Sequence, residues 1–238
     1  MLIATNLERL QNEIADACAR AHRDPATVAL MAVSKTHPAE AILEAYAAGQ
    51  RLFGENRVQE LAGKAGAVAS GVPSTEDTGP SFHLIGPLQN NKTGKAAELF
   101  DAIDALDSVK TAQRLNVAAQ ALNKTLPILV EVKLSSEETK HGLAPEELPA
   151  FLATLAPLTH LKPVGLMMVP PFFDDPELAR PFFQKLRTLR EENLAACPTL
   201  TELSMGMSHD YRIAIEEGST TVRIGTALFG ARSYIPDA

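Results

Sequence analysis

The 238-residue chain has only two cysteines, Cys18 and Cys197. They lie far apart in no ligand-like spacing, which argues against a disulfide framework and reads as free thiols in a reducing compartment. Without Cys/His clusters a metal site is not expected. Lys/Arg-rich tracts are also missing and the net charge is −7, so nucleic acid is not the expected partner. No apolar run reaches the ~20 residues that span a bilayer. The amino terminus lacks a basic region followed by an apolar one, so it does not read as a signal peptide. A soluble, cytoplasmic protein is expected. No Gly-x-Gly-x-x-Gly follows a strand-like run, which removes the dinucleotide-binding fingerprint. P-loop and nucleophile-elbow patterns are absent too.

What is present is ordinary globular composition, 45% hydrophobic and 21% charged. A core of this size needs no disulfide or metal staple. Leu7, Leu10, Ile14 and Ala17 recur on one face of a helix over 3–20. Strands are then expected at 27–33, 51–54, 82–85, 102–106, 127–134, 162–168, 202–205 and 221–224. Helices are expected between them at 39–48, 58–69, 92–100, 108–123, 145–155, 176–196 and 209–217, with a last turn from 226. Gly49 stops one helix and Ser108 is a plausible N-cap of another. The Pro/Gly-rich stretch 70–80 reads as a surface insertion, leaving one domain over 1–238. Eight strands alternating with helices after an extra N-terminal helix is the pattern of an α/β protein, a single (β/α)8 TIM barrel. A doubly wound open sheet is the alternative, because alternation does not prove closure.

In a barrel the loops after the strands build one functional rim. The run Leu30-Met31-Ala32-Val33-Ser34-Lys35-Thr36-His37-Pro38 ends the first strand in a lysine. If such an amine has little water around it, its charged form is disfavoured and it can attack an aldehyde. The competing reading is a solvated lysine. Glu55, Asn56 and Arg57 follow the second strand, and Gly86 to Lys92 the third. Gly206 and Ser208 follow the seventh, and Gly225 and Thr226 the eighth. Barrels often hold phosphate with those last two loops and a helix amino end. Arg223 can donate to a ring nitrogen or anion, or form a salt bridge with a carboxylate. Lysine, phosphate cradle and arginine together suggest pyridoxal 5'-phosphate (PLP). His37 and His83 are read as packed, hydrogen-bonded histidines before ligands or bases.

Six stretches carry a resemblance along nearly the whole chain: Ala32-Val-Ser-Lys-Thr36, Phe53-Gly-Glu-Asn-Arg-Val-Gln-Glu60, His83 to Lys92, Gly165-Leu-Met-Met168, Leu203-Ser-Met-Gly-Met-Ser208 and Val222 to Arg232. The sequence resembles the YggS/PROSC family of PLP homeostasis proteins. The resemblance implies a barrel similar to the alanine racemase N-terminal domain, with PLP as a Schiff base on Lys35. It implies phosphate contacts from Ser208, Gly225 and Thr226, and Arg223 facing the pyridine nitrogen. Asn56 and Met205 fall in motifs near the cofactor. One departure is Val132-Lys133, where the family usually reads Val-Asn; Lys133 is expected to point to solvent, the alternative being the cofactor rim, where it would compete for aldehyde.

The resemblance favours a PLP carrier in vitamin B6 homeostasis rather than an enzyme, with PLP-dependent apoenzymes as candidate recipients and a monomer expected. An amino-acid racemase-like enzyme is the alternative. Such enzymes add a β domain supplying a second base, and this chain stops just past its eighth strand. Of the three tyrosines, only Tyr234 in the tail stands as a substitute base. A phosphosugar-type barrel using Lys35 without PLP is a third reading.

Overall fold

The computed structural model describes residues 2–73, 79–135 and 141–230. Its strands are β1 (Ala29–Val33), β2 (Leu52–Glu55), β3 (Ser81–Leu84), β4 (Ala102–Leu106), β5 (Leu126–Glu131), β6 (Leu161–Met167), β7 (Glu202–Met207) and β8 (Thr221–Ile224). All neighbours pair in parallel and β1 closes on β8, Ala29 beside Thr221 and Ala32 beside Ile224. The sheet is therefore a closed barrel, and the open-sheet alternative falls.

The helices are α1 (Leu2–Arg20), α2 (Ala39–Ala47), α3 (Val58–Gly71), α4 (Thr93–Leu99), α5 (Val109–Ala121), α6 (Leu148–Leu155), α7 (Arg180–Asn193), α8 (Tyr211–Glu216) and α9 (Thr226–Phe229). The helix after β8 has only four residues. In its place α1 packs against α8, α9 and α2, so the extra N-terminal helix completes the outer ring. Its Leu7, Leu10 and Ala17 are buried, as their spacing requires. Asp24 caps a 3-10 turn at Pro25–Thr27, which delays β1 by two residues relative to the expected strand. Ser108 caps α5 by accepting from Thr111 N. The long helix expected over 176–196 begins as a 3-10 turn at Pro176–Ala179 before α7.

Strand residues alternate between two environments. On β5, Leu126, Ile128 and Val130 join the core beneath the helices. Leu129 belongs to a small second cluster with Ala105, Val164 and Met167, and alternation turns it and Glu131 into the barrel. On β8, Val222 and Ile224 face the helices, so Arg223 faces inward. That parity decides which polar side chains reach the rim.

Candidate functional site

The carboxyl ends of the strands surround a cavity of about 500 Å³ lined by Lys35, Asn56, Glu131, Ser208, Arg223, Gly225 and Thr226, among others. Lys35 does not end β1. It sits two residues later, in a turn closed by His37 N donating to Ser34 O at 3.1 Å. Beneath that turn lies Glu55, fully buried, whose Oε1 accepts from Ser34 Oγ at 2.7 Å and from Lys64 Nζ at 2.7 Å. Burial raises the Glu55 carboxyl above its usual range, against the pull of Lys64 and Ser34.

The loops after β7 and β8 meet at α9. Ser208 lies three residues before α8, yet its Oγ turns the other way and accepts from Ala227 N at 3.4 Å. Gly225 is the residue before α9, and a Cβ on it would meet Val33 no closer than 3.5 Å. A Cβ at Gly225 would thus be in ordinary contact and meet no clash. Two side chains of α1 hold α9 from behind: Asn6 Nδ2 donates to Leu228 O at 2.9 Å and Arg9 to Ala227 O at 3.1 Å. The His37 ring stacks on Phe229 with centroids 4.8 Å apart.

Arg223 forms the floor. Its guanidinium donates to Ser204 Oγ and to Met168 O, both at 2.7 Å. Burial disfavours its charge, and the carboxylates of Asp104, Glu131 and Asp210 oppose that. Glu131 is buried beside Asp107, and its pKa is pushed up to about 7 by burial first and Asp107 second, against Arg223. Deeper in the barrel His83 Nδ1 lies 3.0 Å from Asp104 Oδ1. Burial works against the charged ring, but Asp104 outweighs it and the His83 pKa is raised.

This constellation has relatives. Residues 5–233 match the model of the alanine racemase N-terminal domain. The pyridoxal phosphate homeostasis protein of Vibrio alginolyticus is 44% identical over 232 residues, covering 98% of each chain. That of Pseudomonas aeruginosa is 45% identical over 233 residues, covering 98% of this chain and 96% of its own. The chain belongs to the pyridoxal phosphate homeostasis protein family. Among solved structures, PipY of Synechococcus elongatus, determined with PLP bound, superposes with a TM-score of 0.83 at 41% identity, over 96% of this chain and all of that one. Alanine racemase from Bartonella henselae has a TM-score of 0.68 at 17% identity, over 97% of this chain and 59% of its own, and shares the fold alone.

Six of the seven expected site residues of this family member line the one cavity: Lys35, Asn56, Ser208, Arg223, Gly225 and Thr226. Met205 does not. It is fully buried in the core beneath the helices, because β7 turns Ser204 inward and Met205 outward. Lys133, expected in solvent, lines the cavity, two residues past the end of β5 at Glu131. Lys140 and Tyr234 lie outside the described residues. Glu55 and Arg57 were expected on the rim. Glu55 instead ends β2 beneath it, and Arg57 is an exposed residue before α3. Gly206 is tightly packed: at φ +94°, a Cβ would stand 2.5 Å from Ala214 Cβ of α8. His83 is a packed histidine, as expected, while His37 also reaches the cavity. Glu131 was missed, although a charge inside Ile128-Leu-Val-Glu-Val132 was a readable signal. His141 and His209 also line the cavity and carried none.

Proposed function

We propose that this protein binds PLP in the barrel-mouth cavity, tethers it through Lys35, and serves intracellular PLP homeostasis as a carrier rather than a dedicated enzyme. The observation that carries this reading is the convergence of Lys35, Ser208, Gly225, Thr226 and Arg223 on one cavity. PLP supplies an aldehyde that condenses with a primary amine as water leaves. Lys35 is the amine. Ser208, Gly225 and Thr226, all lining the cavity, would take the phosphate at the amino end of α9. Arg223 offers the pyridine nitrogen a donor, since a guanidinium has five N–H groups and cannot accept. Asn56 completes the wall on the β2 side. The names of the relatives support the homeostasis role, and the PLP-bound PipY structure supports the ligand.

Borohydride reduction of the PLP-loaded protein followed by peptide mapping tests the assignment. The pyridoxyl group is expected on Lys35. An adduct found only on Lys133 or Lys140 would overturn it.

A further inference from the structure

The turn that carries Lys35 is held in an unfavourable backbone conformation. Thr36, its second central residue, has φ +65°. A left-handed φ is a genuine outlier for a β-branched side chain, and glycine or asparagine normally takes such a slot. Conformations of this kind persist only where the surroundings over-determine them.

Here one ammonium group is central to those surroundings. Lys64 Nζ, on α3, donates to Ser34 O at 3.0 Å and to His37 O at 3.0 Å, the first and last carbonyls of the turn. It also reaches Glu55 Oε1 at 2.7 Å and Glu60 Oε1 at 3.0 Å. An ammonium has three donors, so the four oxygens share them. Glu60 in turn accepts from Thr36 N, and Ser34 N donates to Gly54 O at 3.0 Å. The main chain on both sides of Lys35 is therefore pinned by Lys64 and Glu60, one helical turn apart on α3, and by β2. The Lys64 side chain is only 11% exposed.

We propose that Lys64 is the positioning residue for Lys35: by clamping the Ser34–His37 turn it keeps Thr36 left-handed and presents the Lys35 amine to the cavity. Lys64 itself is not among the residues lining the cavity, so it acts through the backbone. This inference rests on the proposed attachment of PLP to Lys35.

Three measurements test it. The first is the rate at which the visible band forms when apo-protein meets PLP. The second is the affinity for pyridoxine 5'-phosphate, which has the phosphate and ring but no aldehyde. The third is rescue by glycine. In Lys64→Met the band should form about 10- to 100-fold more slowly, the usual cost of a reacting group displaced by roughly 1 Å. Affinity for pyridoxine 5'-phosphate should stay within about twofold, because α9 and its loops are untouched. Adding Thr36→Gly to Lys64→Met should recover part of the rate, since glycine takes positive φ without steric cost. A general loss of folding would not be rescued in this way. If Lys64→Met does not fold, Lys64→Arg carries the same comparison, keeping the charge but not one nitrogen on four oxygens. Unchanged band formation, or equal loss of both ligands, would overturn the positioning role. A wild-type protein that forms no band, or forms it undiminished in Lys35→Ala, would instead overturn the PLP attachment itself.

Discussion

Glu131 illustrates what one carboxyl does when strand parity turns it into a barrel. Its pKa is raised from 4.5 to about 7, by burial and by Asp107. Between those values the folded protein holds a proton that the unfolded chain has lost. Its contribution to stability is full below about pH 4.5 and is lost as pH rises through about 7. Glu131→Gln has no such titration. Relative to wild type the variant should gain on the order of 1–3 kcal/mol between pH 5 and pH 8. In a chain of this size that is a rise of roughly 2–10 °C in Tm difference. Parallel melts of the two apo-proteins at both pH values would show it, and a pH-independent difference would refute the shifted carboxyl. Lys35 was legible at this scale because it follows an apolar run and starts a polar rim. Lys64 was not legible, because its partners are main-chain carbonyls 27 and 30 residues away. Met205 misled for a related reason: motif membership says nothing about which face of β7 a side chain takes.

At the scale of elements, the proposed phosphate end is built from two loops and a four-residue helix braced from behind by α1. Gly225 has φ −109° and ψ −82°, and a Cβ there would stand 3.5 Å from Val33 O, an ordinary contact. A cost to the fold would weaken every ligand alike, so a loss confined to the phosphorylated ligand reports on phosphate. Gly225→Val should weaken PLP by about tenfold or more, the equivalent of one charge-assisted hydrogen bond, and leave pyridoxal within about twofold. Fluorescence titrations of both ligands would decide it; matched losses would argue that no phosphate sits there. Strand and helix order was readable from periodicity, and β4 and β8 stand at their expected bounds. Ends shifted where local capping intervened, as at Asp24 before β1. The sequence offers Gly206 as a place where backbone can approach an anion closely. Its tight packing on α8 is a tertiary fact with no local signature.

For the whole molecule, alternation announced the barrel, but closure rests on β1 meeting β8, a pairing between the two ends of the chain. The same closure places β5 four strands from β1, across the mouth from Lys35. That bears on whether the site turns substrates over. Racemisation needs a base on each face of Cα, both within hydrogen-bond reach of the moving proton. Tyr46 is buried with Arg51 stacked on its ring, and Tyr211 donates to Glu13; neither lines the cavity. His37 sits on the Lys35 turn itself and is stacked on Phe229. Glu131 and Lys133 stand on the far β5 side, and His141 and His209 also line the cavity; on the proposed reading, an Arg223 donor would leave the pyridine nitrogen unprotonated, a poorer electron sink. On the proposed carrier reading, Cα proton exchange of L-alanine and other amino acids in heavy water should stay well below ordinary turnover. Exchange with racemisation at roughly 1 per second or faster, followed by chiral chromatography and abolished by Lys35→Ala, would make the protein an enzyme instead of a carrier.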